Sequence, residues 1–239
     1  KTTTLYSLLQ SSATPEKNYI TIEDPVEYYM DQAGQVLIKE KIGLTFPIVL
    51  RSILRQDPDV ILVGEIRDLE TAEVAFNAAL TGHQVFSTLH TNSAVATIAR
   101  LIDLGLKPFV LAAALEGIIA QRLARKICDG CRKETQPDPS VVARLGPAFS
   151  GSDLKTYRGT GCPACYGSGY RGRLGLYEVL VPSGDFRDLI SRNAGVRELT
   201  QVAHDMGLVG LFDDACEKVN GGLTTVDEVL RILGPGSQH

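Results

Sequence analysis

No stretch of the chain approaches the roughly 20 consecutive apolar residues that a membrane-spanning helix needs. The most apolar run, Phe109 to Ile119, is interrupted by Glu116 and followed by Arg122, Arg125 and Lys126. The charged, apolar and small-residue segments of a secretory leader are also missing. Because Lys1 is no natural start, the N-terminus reads as a cut. An excess of positive charge is lacking too: the formal net charge is −4, which gives no global pull toward nucleic acid, although Arg122 to Lys126 with Arg132 and Lys133 form a local basic cluster. No internal repeat appears, and the Gly-Pro-Gly-Ser tail is the only low-complexity tract. These absences point to a cytoplasmic chain whose 239 residues and 44% apolar content suffice for one large domain, or one domain with an appendage.

Among the five cysteines, four fall into two pairs with the same internal spacing, Cys128/Cys131 and Cys162/Cys165. Disulfides are out of place in a reducing compartment, whereas a two-residue gap lets both thiolates of a knuckle face one tetrahedral centre. Gly and Pro beside the pairs are the residues that tight turns around a metal need. Zinc is therefore expected on Cys128, Cys131, Cys162 and Cys165. With four cysteine ligands no position remains for water, so the role is structural. Cys216, alone in a helical pattern, reads as a small buried apolar residue.

Short β-branched runs alternate with longer helical patterns over about the first 100 residues, the signature of an α/β chain with a parallel sheet covered by helices. Strands are expected at Tyr19–Glu23, Val60–Gly64 and Gln84–Thr88, each buried on both faces. Helices are expected at Phe46–Gln56, Leu69–Leu80, Ser93–Leu104 and Pro108–Leu123. After Ile127 the texture changes to Gly, Pro, Cys and polar residues, as in a metal-stapled insertion. Three or four short amphipathic helices then close the chain, over Phe186–Arg192, Val196–Met206, Leu211–Val219 and Val226–Ile232. The resulting division is a core over 1–126, a metal-binding subdomain over 127–172 and a C-terminal helical subdomain over 173–239.

Lys1-Thr2-Thr3-Thr4 followed by Leu5, Leu8 and Leu9 has the form of the end of a phosphate-binding loop, in which the Lys reaches phosphates and the next hydroxyl ligates magnesium. The strand ending Val-Ile-Leu-Val-Gly-Glu65 delivers a carboxylate to a sheet edge, a Walker B arrangement. Ligands of open parallel sheets bind outside the strand carboxyl ends, so both features belong to one site.

Three further stretches carry a resemblance. Ile20-Thr-Ile-Glu-Asp-Pro-Val-Glu27-Tyr28 resembles an aspartate box. Leu50 to Asp59 with Gly64 to Asp68 resembles a Walker B region, and Thr81 to Asn92 a histidine box. Together with the cysteine segment and Gly169 to Glu178, they resemble the type II secretion and type IV pilus ATPases, the GspE/PilB-like family, over essentially the whole chain. The resemblance implies a RecA-like P-loop core lacking its first strand and Gly-rich loop, the cofactors ATP, Mg²⁺ and Zn²⁺, and a homo-hexamer. Its implied partner is an inner-membrane platform protein, with the motor peripheral at that membrane and no direct nucleic-acid role. Carried over to these residues, it places Lys1, Thr2 and Thr3 on nucleotide and magnesium and makes Glu23 the group that orients the attacking water. Glu65 then supports the metal shell, His90 senses the γ-phosphate, and His83 begins the same box.

The order of Glu23 and Glu65 stays open, because either carboxylate can accept a proton through one water. Arg51 and Arg55, four apart, share a helix face, and Arg67 follows Glu65; one of these guanidinium groups is expected to act across a subunit boundary. Two other readings stand beside this one: an assembly scaffold with a degenerate nucleotide site, and a zinc ribbon for nucleic acid, which leaves the three boxes unexplained. Secretion, pilus assembly and DNA uptake are not distinguished.

Overall fold

The structure, a computed structural model, describes residues 1–136, 138–145, 149 and 154–235. The Gly-Pro-Gly-Ser tail from residue 236 on, and positions 137, 146–148 and 150–153 of the expected metal-binding segment, lie outside the described residues. In chain order the elements are α1 (Thr2–Ser12), β1 (Tyr19–Glu23), β2 (Ala33–Leu37), α2 (Phe46–Ile53), β3 (Val60–Val63), α3 (Leu69–Leu80), β4 (Gln84–Ser87), α4 (Ala94–Asp103), α5 (Pro108–Ala114) and β5 (Ile118–Ile127). They continue with β6 (Arg132–Thr135), α6 (Pro139–Val142), β7 (Thr156–Gly159), β8 (Tyr170–Leu180), α7 (Gly184–Ser191), α8 (Val196–Asp205), α9 (Leu211–Asn220) and α10 (Val226–Leu233). No helix among them is long and apolar enough to cross a membrane.

The chain forms two compact units: Lys1–Ile118 with Val181–Val202, and Ile119–Leu180 with the residues from Ala203 onward. The first unit holds a four-stranded sheet of order β2-β1-β3-β4, parallel throughout. In β1 and β3 every residue is buried, as continuous β-branched runs between helix layers require. Strand β4 departs from the expected burial on both faces: Gln84 is exposed and Val85 to Ser87 are half-buried, because β4 is a sheet edge paired only with β3. Strand β2 is an addition that its polar, Gly-containing sequence hid. Helix α3 starts where Asp68 accepts the Thr71 amide at 2.7 Å, an N-cap that supplies about 1 kcal/mol.

The expected helix over Pro108–Leu123 ends early. Leu115 turns extended at φ −77°, ψ 114°, and Ile118–Ile127 becomes a strand paired with β8. Ala, Gln, Leu and Arg are good helix formers, yet strand formation here rests on cross-strand packing that propensity does not contain. Strands β6 and β7 form an antiparallel pair with Arg132 opposite Gly159 and Thr135 opposite Thr156.

The second unit has its own core of Ala124, Leu145, Phe149, Leu176, Leu211, Ala215, Val219, Val226 and Val229, drawn from β5, β8, α9 and α10 together with Leu145 and Phe149. A separate C-terminal helical subdomain over 173–239 is not confirmed. Helix α7 belongs to the first unit, where Arg187 donates to the Ala112 carbonyl at 2.8 Å, while α9 and α10 complete the core of the second.

Candidate nucleotide site and cysteine cluster

The carboxyl ends of β1 and β3 and the segment after β4 open on a cavity of ≈ 250 Å³, lined among others by Lys1, Thr2, Tyr6, Glu23, Glu65 and His90. Parallel pairing makes this convergence unavoidable: Ile22 stands opposite Val63, and Val63 opposite Ser87, so the residues just past these positions leave the sheet at one edge. The turn after β3 is drawn tight against β1. The Gly64 amide donates to the Ile22 carbonyl at 2.8 Å, and a Cβ at Gly64 would lie 3.1 Å from that oxygen. The Thr88 hydroxyl donates to the Gly64 carbonyl at 2.7 Å, closing the edge on the β4 side.

Helix α1 points its first turn at the cavity with neither a side-chain N-cap hydrogen bond nor an acidic residue there. That leaves the positive end of its dipole for an anion. Lys1 Nζ donates to the Leu89 carbonyl, and the Thr2 hydroxyl donates to Glu27 Oε1 at 3.1 Å. Glu23, 3% exposed, is the most enclosed acid of the site. Its Oε2 accepts from the Tyr6 hydroxyl at 2.5 Å, and its Oε1 accepts from Thr21 Oγ1 at 2.6 Å and from Gln35 Nε2 at 3.2 Å. Glu65 pairs with the guanidinium of Arg67 and lies 3.5 Å from His90 Nε2. The hydrogen bond to Glu65 and its negative charge hold Arg67 above its ordinary pKa.

In the second unit the Sγ atoms of Cys128, Cys131, Cys162 and Cys165 all lie within 4.8 Å of one another. Three separations are 3.8 Å (Cys128 to Cys162), 3.9 Å (Cys131 to Cys165) and 3.7 Å (Cys162 to Cys165). An ion held tetrahedrally by four sulfurs at about 2.3 Å sets them about 3.8 Å apart, so the donor set fits such an ion. Burial pushes the Cys165 thiol up, but amide N–H groups of Cys162 and Gly169 donating to its sulfur outweigh it and bring the pKa down to about 6. Burial pushes Cys131 up to about 11. Gly159 and Gly169 meet backbone to backbone beside the cluster: a Cβ on Gly159 would stand 2.0 Å from the Gly169 carbonyl oxygen.

Residues 1–231 match the protein family described as Type II/IV secretion system protein. The chain belongs to this family. Among its relatives, the Type II secretion system protein E of Pseudomonas aeruginosa is 46% identical over 234 residues, 97% of this chain and 46% of that protein. The Type IV pilus assembly ATPase PilB of Thermus thermophilus is 45% identical over 233 residues, 96% of this chain and 26% of that protein. The chain thus spans less than half the length of these curated relatives. Among solved structures, the pilus retraction motor PilT with bound ADP superposes with a TM-score of 0.71 at 33% identity, covering 97% of this chain and 57% of that one.

For a member of the Type II/IV secretion family, the candidate residues divide clearly by position. Lys1, Thr2, Glu23, Glu65 and His90 meet at the cavity, and Arg67 reaches it through Glu65. Thr3 does not line it; its carbonyl accepts from Ser7 within α1. His83 precedes β4 at the opposite end of the sheet, its Nδ1 2.9 Å from the Ala78 carbonyl. Arg51 forms an exposed ion pair with Glu70 at 2.7 Å. Arg55 lies beyond the last residue of α2 and donates to the Arg51 carbonyl at 3.0 Å. Tyr6, Thr21, Gln35 and Glu27 escaped the sequence reading as a group. The signals were spacing: Thr2 and Tyr6 are four apart on one helix face, and Thr21 and Glu23 are two apart on one strand face.

Proposed function

We propose that this chain is the motor portion of an ATPase that hydrolyses ATP to drive type IV pilus assembly or type II secretion. The observation that carries the reading is the convergence of Lys1, Thr2, Glu23, Glu65 and His90 on one cavity at the carboxyl edge of a parallel sheet. Phosphoryl transfer asks the protein mainly for positioning and charge stabilisation. Lys1 and Thr2 at the α1 N-terminus would hold phosphate and Mg²⁺, and the ion would supply charge neutralisation there. Glu23 would orient the attacking water, Glu65 would support the metal shell and His90 would serve the γ-phosphate. Thr3 and His83 keep a place as nucleotide-contacting candidates on the family resemblance alone.

The same reading includes a RecA-like core over 1–126, a zinc-binding segment over 127–172 and a helical segment over 173–239. It also takes the working form to be a homo-hexamer at the inner membrane, in contact with a platform protein, with Arg67 and one of Arg51 and Arg55 serving the subunit boundary. Zinc on the four cysteines would hold together a lobe otherwise rich in Gly and Pro.

The test is ATP turnover and nucleotide binding by the full-length protein and its Glu23→Gln variant. Loss of most turnover with binding kept is the expected result. Near-parent hydrolysis in the variant moves the water-orienting role to Glu65, and absence of turnover in the parent leaves the chain a nucleotide-independent scaffold.

A further inference from the structure

Tyr6 has no part in the mechanism above, yet it makes the tightest contact to the acid at its centre. It is 8% exposed, sits one helical turn after Thr2, and donates its hydroxyl to Glu23 Oε2 at 2.5 Å. The ring is fixed from two sides. Tyr28 meets it edge-on, centroids 5.7 Å apart at 78°, and Gln35 Nε2 donates to the Tyr6 oxygen at 3.3 Å while also holding the Tyr28 carbonyl at 2.9 Å. Burial, reinforced by the Glu23 carboxylate, pushes the Tyr6 pKa up to about 12. The proton therefore stays on the tyrosine at neutral pH, and toward Glu23 the Tyr6 hydroxyl is the donor.

Resting on the reading of Glu23 given above, we propose that Tyr6 is a positioning residue: it ties the orientation of the Glu23 carboxylate to the first turn of α1, where phosphate is bound. The geometry allows little else. Thr21 and Gln35 occupy Oε1 from within the sheet and would hold the carboxylate equally well with α1 displaced. Among the hydrogen bonds of the described residues, that of the Tyr6 hydroxyl connects Oε2 to the helix that begins with Lys1 and Thr2. A phosphate drawing that first turn toward itself then carries Tyr6 and Glu23 with it. The water-orienting oxygen is thereby set when nucleotide is in place and left to two sheet-based donors when it is not.

The experiment removes the hydroxyl and keeps the ring. In the full-length protein, Tyr6→Phe is expected to lower kcat tenfold to a hundredfold, the range of one hydrogen bond to a charged group. The Kd of a non-hydrolysable ATP analogue should stay within twofold. In a Glu23→Asp background, where the carboxylate is already withdrawn by one methylene, the same change should cost less than threefold, because Tyr6 acts only through that carboxylate. Parent-like kcat in Tyr6→Phe, an effect confined to Kd, or the same cost in both backgrounds overturns the inference. Tyr6→Phe at the parent rate while Glu23→Gln is inactive refutes this inference alone. Glu23→Gln at the parent rate refutes the role of Glu23 and this inference with it. If Tyr6→Phe loses solubility or melts early, the comparison is made with 3-fluorotyrosine at position 6, which keeps shape and alters donor strength; unchanged turnover there is equally fatal.

Discussion

Replacing Glu228 by Gln should destabilise the second unit at neutral pH and leave it unaffected in acid. Glu228 is fully buried on α10 and accepts from the Arg125 amide at 2.9 Å, from Arg125 Nε at 2.9 Å, and from Arg231 Nε and its terminal nitrogen at 2.8 and 2.6 Å. Arg125 lies over the Tyr170 ring at 4.2 Å, and the Tyr170 hydroxyl is 2.8 Å from Thr225 Oγ1, so the carboxylate fastens β5, β8 and α10 together. Burial acts to raise its pKa, but the hydrogen bonds from Arg231 and Arg125 outweigh that and hold it at about 2, against an ordinary 4.5. A depressed folded-state pKa contributes stability that is complete above about 4.5 and is lost as pH falls through about 2; a difference of that size is worth on the order of 3 kcal/mol. Glutamine imitates the protonated acid. The two arginine side chains are 48% and 57% exposed and regain water when the charge is gone, which keeps the cost at or below the 3–5 kcal/mol typical of breaking a buried pair. Urea unfolding of parent and Glu228→Gln, with amide exchange along α10 as the local readout, should show a gap of roughly 2–3 kcal/mol at pH 7 that closes toward pH 2. A gap of the same size at both pH values, or none at pH 7, refutes the reasoning.

The cysteine cluster should hold one zinc per chain, lost in Cys128→Ser and in Gly159→Ala, whose new Cβ has no room against Gly169; metal analysis finding much less than one zinc in protein never exposed to chelator contradicts this. Arg67→Ala should cut ATP turnover well over tenfold by freeing Glu65, with the monomer fold intact. Arg51→Ala and Arg55→Ala should affect only the assembly-dependent part of the rate, since the Arg51–Glu70 pair is exposed and worth at most about 1 kcal/mol to the fold. Turnover measured against oligomeric state separates these cases, and parent-like behaviour of all three variants would make them structural residues only.

What the sequence made legible follows from where the signal resides. Strands β1 and β3 and helix α3 were readable because local pattern and tertiary role agree: buried β-branched runs, and an Ala-rich helix opened by Asp68 and stopped at Gly82. Strand β5 was not, since Ile118–Ile127 carries good helix formers and becomes a strand only through β8, some fifty residues further on. The four cysteines were legible from spacing alone, and their sulfurs do gather. Glu23, Glu65 and His90 came together because parallel strands end at one edge. Thr3 lies within α1 and His83 before β4, away from the cavity lining, and Arg55 falls just past the end of α2 at Ile53. Tyr6 and Gln35 were missed for another reason: their role depends on contacts across elements, and the Thr2–Tyr6 spacing places Tyr6 on the helix face without naming its partner.

The placement of Glu23 in the middle of a sheet, and not on a loop, has a cost in evolvability. Thr21 and Glu23 face α1 because they share one parity of β1, and pairing with β2 on one side and β3 on the other fixes that parity along the strand. Loops can lengthen or shorten by single residues at little expense, but inserting or deleting one residue inside Tyr19–Glu23 would turn the carboxylate to the opposite, equally buried face and bring the apolar set to the face it left. Residues around this acid can drift by substitution, whereas the strand that carries it tolerates change in length only in steps of two.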